Sequence, residues 1–337
     1  MRIILIILLF SLIVLFHELG HFIFAKRSGI GVIEFAVGMG PKVFSIERGG
    51  TAYSFRLIPI GGFVAMEGED GAEAEVEENS FGSKTVWQRM QTIAAGPIFN
   101  IILTVILLIP VFFYMGSPTN KIDSVMNNMP AYEVGIKAGD VIEKVNGKTV
   151  TNGTEVSEAI TAAGNKEMSI TLDRDGKTVE VKVTPKEQDG RNMVGIQYVM
   201  EKSIFGSIKR AFSATYQMTV RMLQFIGQLF TGNLPMKVTE AVSGPVGVIS
   251  IVNDASQAGA INVVYVMAVI SLNLGILNLL PIPALDGFRI LMLIIELLRG
   301  GKKFNPEKEG MVNFIGFMLL IGFTIFVTYN DVLKLIK

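Results

Sequence analysis

Residues 3–25 read IILIILLFSLIVLFHELGHFIFA, and this stretch decides the class of fold. Only Ser11 interrupts the apolar run from Ile3 to Phe16, and Phe22 to Ala25 continue it past His17-Glu18-Leu19-Gly20-His21. These 23 residues make a helix of about 34 Å at roughly 1.5 Å per residue, enough to cross a hydrocarbon core of about 30 Å. His17 and His21 are the only two histidines in the chain. At i and i+4 on a helix their rings share a face and can grip one divalent metal. Glu18 between them can reach a metal-bound water as general base. Arg2 before the apolar run is a signal-peptide feature, but no small-x-small cleavage site follows and the chain runs on into Lys26-Arg27. The segment is therefore expected to stay as an anchor.

The composition agrees with a membrane protein. Half of the 337 residues are apolar, and 22 Phe stand against one Trp, with a mean hydropathy of +0.48. The formal net charge is zero, so nothing points to a nucleic-acid partner. The chain has no cysteine, which excludes disulfides and thiolate metal sites. Any metal must be held by histidine, carboxylate and water.

Three further apolar stretches, Thr92–Met115, Val263–Leu298 and Met311–Tyr329, are expected to span, the second being too long for one straight helix. Basic residues cluster between the first and second spans (Lys26, Arg27, Lys42, Arg48, Arg56, Lys84, Arg89) and between the third and fourth (Arg299, Lys302, Lys303, Lys308). These loops are expected on the cytoplasmic side, with residues 116–259 outside. His17 then lies at membrane depth toward the cytoplasmic leaflet.

Residues 31–66 are expected to form two hairpins. Tyr53-Ser54-Phe55-Arg56-Leu57 alternates, and Gly38, Gly40, Gly49-Gly50 and Gly61-Gly62 punctuate the run. Tyr53 and Phe55 are expected on an open strand edge that binds substrate. Residues 67–78 carry seven acids and no base, which reads as a solvated linker, with a weak cation site as the alternative. Pro130 to Ile142, with Gly135-Ile136-Lys137-Ala138-Gly139-Asp140 at its centre and Val145-Asn146-Gly147 after it, resembles the PDZ-domain signature. PDZ domains bind extended peptides by strand addition. Residues 204–231 place Phe205, Phe212, Tyr216, Leu223 and Phe230 among others at helical spacing. That fits an interfacial amphipathic helix, or a helix packed on the preceding domain.

A catalytic zinc site often has two histidines and a carboxylate. Glu296 lies three residues before Arg299 and reads as an interfacial residue. Asp286 lies in Asn278-Leu279-Leu280-Pro281-Ile282-Pro283-Ala284-Leu285-Asp286-Gly287, where two prolines prevent a regular helix. Broken backbone at membrane depth belongs in a buried or wet site, and an intramembrane carboxylate needs a partner. Asp286 is the candidate third ligand; a helix N-cap is its structural alternative.

His17-Glu18-Leu19-Gly20-His21, the PDZ-like segment and Asn278…Leu285-Asp286-Gly287 together resemble the site-2 protease family, in particular its regulator-of-sigma-E-protease group. Gly38-Met39-Gly40-Pro41-Lys42, Arg56 to Val64, Gly96-Pro97-Ile98-Phe99-Asn100 and Ser243-Gly244-Pro245-Val246-Gly247 are further matches in order. Some members carry two tandem PDZ domains, whereas this chain has room for one.

The resemblance implies a polytopic α-helical membrane protein with four transmembrane helices, membrane-reentrant β-hairpins and one extracytoplasmic α+β PDZ domain. Its parts would be a first span at 1–25, hairpins at 26–66, an acidic loop at 67–91 and a second span at 92–115. The PDZ domain at 116–186 and a linker at 187–262 holding the interfacial helix would follow. A broken third span at 263–298, a loop at 299–310 and a fourth span at 311–330 would complete it. It implies Zn2+ held by His17, His21 and Asp286, Glu18 as general base, and Asn278 contacting substrate. The implied activity is cleavage of transmembrane segments in pre-trimmed single-span proteins, of the anti-sigma-factor or remnant-signal-peptide kind, in a bacterial cytoplasmic membrane. A catalytically inactive membrane-anchored PDZ adaptor is the alternative. A transporter is disfavoured, since the sequence shows no inverted repeat.

Overall fold

The computed structural model describes residues 2–69, 78–188, 190–232 and 243–336. Most of the acidic run at 67–78 lies outside the described residues. Among the described residues, four helices are long and apolar enough to cross a membrane: Ile7–Arg27, Val86–Met115, Ala260–Asn278 and Glu307–Lys334.

α1 (Arg2–Arg27) leads into β1 (Val32–Arg48) and β2 (Thr51–Met66). Each strand bends at its glycines, where Gly38, Gly40 and Gly61 hold positive φ. Residues 34–37 are consequently paired on both sides, with 62–65 and with 52–55. Residues 52–55 in turn pair with 44–47. The two hairpins thus form one curled sheet whose outer strands are 42–48 and 60–66. Ser11 of α1 donates to Pro59 O at the bend of β2. Phe22 packs on Phe35 and Tyr53, with ring centroids 5.1 and 5.9 Å away. The sheet is therefore seated on the helix that carries the two histidines.

α2 (Val86–Met115) begins six residues before the expected span. Thr85 and Gln88 form a reciprocal cap: Gln88 N donates to Thr85 Oγ1, and Thr85 N to Gln88 Oε1. Thr92, Gly96, Asn100 and Thr104 recur every four residues along one face of α2. Thr92, Asn100 and Thr104 are all fully buried.

Residues Phe112–Arg210 form a compact unit of their own. It contains β3 (Ser117–Val125), α3 (Pro130–Glu133), β4 (Val141–Val145), β5 (Lys148–Thr149), α4 (Gly153–Ala163), β6 (Met168–Arg174) and β7 (Lys177–Val183). β8 (Lys186–Gln188), β9 (Arg191–Met193) and β10 (Ile196–Glu201) follow. The sheet order is β10-β3-β4-β6-β7, with β5 on β4. The unit runs past the expected boundary at 186, because β10 supplies the strand beside β3. Its core includes Ile122, Ile142, Val156, Ile170 and Leu172.

Asp140, from the Gly-Asp pair of the signature, is 1% exposed. It accepts from Lys137 N at 2.8 Å and from Arg174 Nε and Nη2 at 2.8 and 2.7 Å. Burial pushes its carboxyl up, but the Arg174 fork and the Lys137 amide outweigh that and hold it below the usual carboxylate range. A depressed folded pKa stabilises the unit above the unfolded value of about 3.9. That contribution is lost as pH falls through the lower folded value. Hydrogen exchange on the full chain should show this unit's protection dropping in acid below about pH 4, with Asp140→Asn flattening the drop and lowering protection at neutral pH.

α5 (Ile204–Thr231) turns its small residues Ser207, Ala211 and Thr215 inward and leaves Phe205, Phe212 and Tyr216 exposed. α6 (Pro245–Ala258) is followed by α7 (Ala260–Asn278), α8 (Asp286–Leu298) and α9 (Pro306–Ile336). Asp331 of α9 accepts from Gly247 N at the start of α6, at 2.8 Å. The expected span at 263–298 is two helices: α7 is the membrane-length one, and the turn at 279–285 separates it from α8, as two prolines in that stretch require.

Candidate metal centre

His17 and His21 point from one face of α1, each 7% exposed. Their Nε2 atoms are 3.1 Å apart, and the rings are nearly perpendicular, at 78°. Asp286 brings Oδ2 to 3.1 Å from His17 Nε2 and 3.5 Å from His21 Nε2. One ligand atom from each of the three residues falls within a 4.8 Å cluster, the one such group among the described residues. Asp286 is the first helical residue of α8; the N-cap is Leu285, so the N-cap alternative does not hold.

Tautomers bear on whether a metal fits. His21 Nδ1 lies 2.9 Å from Thr92 O. A carbonyl oxygen only accepts, so Nδ1 carries the proton and a neutral His21 turns the Nε2 lone pair to the cluster. His17 Nδ1 lies 3.2 Å from Asn100 Nδ2, while Asn100 Oδ1 is buried without a partner among the described residues. Turning that amide gives Oδ1 the Nδ1 proton and frees the second Nε2 lone pair. Asp286 Oδ2 is likewise buried with no hydrogen-bond donor. Two imidazole lone pairs and an unsatisfied carboxylate oxygen facing one point fit a divalent cation, and the nitrogen and oxygen donors suit zinc.

The packing is built around this cluster. A Cβ on Gly20 would stand 2.7 Å from Ala95 C and 2.9 Å from Gly96 N, so this glycine lets α1 and α2 touch backbone to backbone. A Cβ on Gly96 would land on His21 Nε2, 2.6 Å from Cε1 and 2.8 Å from Cδ2. Gly275 similarly admits Pro97 O, and Asn100 O accepts from Ser271 Oγ at 2.8 Å, joining α7 to α2.

Glu296 does not face an interface. Arg89 of α2 grips it through Nη1 and Nη2 at 3.1 and 2.5 Å, with both side chains below 9% exposure. This pair ties α2, with Thr92 one turn on, to the helix that begins at Asp286. Arg89→Ala leaves Glu296 buried and unpaired, at a cost of about 3–5 kcal/mol. A lowered Tm of the detergent-purified chain should report it, with the double change Arg89→Met/Glu296→Met recovering most of the loss.

Glu18 lies beside the cluster, within electrostatic reach of His17, His21 and Asp286, with its stem near β2. A Cβ on Gly62 would lie 3.8 Å from Glu18 Cγ. The outer strand 60–66 therefore runs beside the acid. This corrects the expected place of the open edge. Tyr53 and Phe55 sit on an inner strand, Tyr53 opposite both Phe35 and Ile46, Phe55 opposite both Val37 and Phe44. Their backbone is used on both sides, so they offer no edge to a substrate. Asn278 is the last residue of α7 and half-buried, with no side-chain hydrogen bond among the described residues. Thr92 and Arg89 were not singled out as site residues from sequence. The four-residue recurrence of Thr92, Gly96, Asn100 and Thr104 in an otherwise apolar helix is the signal that marks this face.

The chain matches peptidase family M50 over residues 5–323. It belongs to that family, the site-2 proteases. It is similar to the Regulator of sigma-W protease RasP of Bacillus subtilis, 34% identical over 98% of this chain and 97% of the relative. It is also similar to the putative zinc metalloprotease CPE1693 of Clostridium perfringens, 36% identical over 99% of both. The RasP alignment runs over 415 positions and the CPE1693 alignment over 337, so RasP has residues this chain lacks. Among solved structures, the PDZ domain of an SdrC-like protein from Listeria monocytogenes covers 25% of this chain at 22% identity, with a TM-score of 0.22.

Proposed function

We propose that this chain is an intramembrane zinc endopeptidase that cuts transmembrane segments of pre-trimmed single-span membrane proteins. The carrying observation is the convergence of His17 and His21, on a helix long enough to cross a bilayer, with Asp286 at the start of the shorter α8. Membership of a peptidase family, with relatives named zinc metalloproteases, supports it. A relative named as a regulator of sigma-W protease supports a regulatory substrate of the anti-sigma-factor kind.

The residues divide the work. His17, His21 and Asp286 hold the ion. Zinc bound there supplies a Lewis acid that polarises the scissile carbonyl and makes water acidic. Glu18 accepts the proton of the attacking water and delivers it to the leaving amide nitrogen. Strand 60–66 is an outer strand of the sheet and runs beside Glu18, so an unwound substrate can add along it as a strand. Asn278 donates to the substrate backbone from the end of α7.

Residues 117–186, with the strands up to 201, select substrate and do no chemistry. The basic loops lie on the cytoplasmic side of a bacterial cytoplasmic membrane, and the aromatic face of α5 lies at the opposite interface. An inactive adaptor accounts less well for the chain, because it gives no reason for the full set of His17, Glu18, His21 and Asp286.

Co-expression with candidate single-span proteins tests the reading. Truncated substrates should be cut by the wild type and stay intact with Glu18→Gln. If no trimmed single-span protein is cut in a Glu18-dependent way, the proposal fails.

A further inference from the structure

The turn before Asp286 is held in a conformation its own residues disfavour. Leu285 N donates to Ile282 O at 3.1 Å, closing a tight turn with Pro283 and Ala284 at its centre. Ala284 has φ +74°. That is the third position of a type II turn, which glycine or asparagine normally fills, and a side chain there is strained. Its N–H faces away from the turn and needs an acceptor. Asn313 of α9 supplies one: Oδ1 accepts from Ala284 N at 3.1 Å.

The neighbouring residue of the turn is seated on the same helix. Gly316 lies three residues beyond Asn313, on the same face of α9. A Cβ on Gly316 would collide with Pro283 Cβ and come within 2.9 Å of Pro283 O. On the other side of Asp286, a Cβ on Gly287 would collide with Leu280 O, so the loop also folds tightly over the first turn of α8. Asp286 thus stands two residues from a strained alanine, in a loop that α9 meets at two points, Ala284 and Pro283.

We propose that Asn313 and Gly316 are positioning residues for Asp286: α9 mounts the loop that carries the third metal ligand and sets where its carboxylate meets the two histidines. The inference rests on Asp286 being a ligand, so the test includes that residue. Neither residue touches the ligand atoms; both act through Ala284 and Pro283. Loss of an outer support of this kind costs about 10–100-fold in metal affinity.

The test is zinc affinity of the detergent-purified full chain, by competition with a chromophoric chelator, on stripped and reloaded protein. Asp286→Asn should lose tight zinc. Asn313→Ala and Gly316→Ala should each weaken zinc by about 10–100-fold. Asn313→Asp, which keeps an oxygen acceptor at the same reach, should stay near wild type. Gly322→Ala, on α9 with open space around it, should change nothing. Ala284→Gly added to Asn313→Ala should restore much of the affinity, because it removes the strain Asn313 offsets; this pair also serves if Asn313→Ala alone folds poorly. Wild-type affinity in Asn313→Ala and Gly316→Ala, with zinc lost in Asp286→Asn, overturns the positioning role and leaves the ligand reading intact. Wild-type affinity in Asp286→Asn overturns both.

Discussion

Glu18→Gln is expected to leave zinc in place and to slow cleavage of a truncated single-span substrate by about 10²–10⁴-fold. Glu18 is not one of the three converging groups, so removing its charge leaves the ligand set whole. What it loses, on the proposed division of roles, is the proton acceptor. His17→Ala and His21→Ala should lose metal and activity together. Zinc analysis beside a single-turnover assay separates the two classes. Loss of zinc in Glu18→Gln would place Glu18 among the ligands and contradict the division of roles.

The second large effect is expected from the smallest change. Gly96→Ala puts a methyl group where His21 Nε2 and its ring carbons stand. The ring cannot yield while Nδ1 stays bonded to Thr92 O, because both contacts come from the same face of α2. Either the hydrogen bond breaks or α1 moves away from α2, and each turns His21 from the cluster. Zinc affinity should fall by at least the upper end of the roughly 10–100-fold typical of a lost outer support. Gly310→Ala and Gly322→Ala, with open space around them, are the controls. If Gly96→Ala binds zinc like the wild type, His21 is not held as described.

The convergence of His17, His21 and Asp286 was legible in the sequence because its signals are local or chemically expensive. His17 and His21 are one helical turn apart, and a carboxylate in a proline-broken apolar stretch demands a partner, so Asp286 stood out. The support was less legible. Gly96, Asn100 and Thr92 act across a helix crossing whose geometry no single segment contains, though their spacing of four leaves a trace. Glu296 misled because a carboxylate near a basic residue at the end of an apolar run resembles a solvated end; its real partner, Arg89, is 207 residues away. The strand edge misled for a similar reason. Alternation at 53–57 shows which side chains share a face, but not how many neighbours the strand has. Each strand bends at glycine and pairs twice, which moves the free edge to 60–66.

X-ray absorption at the zinc edge on the purified, zinc-loaded chain tests the central claim most directly. About one zinc per chain is expected, with a shell of two imidazole nitrogens and oxygen from Asp286 and solvent. The oxygen contribution should change in Asp286→Asn while the imidazole signal of any residual metal remains. A shell with one imidazole or none, or an unaltered shell at full occupancy in Asp286→Asn, would contradict it.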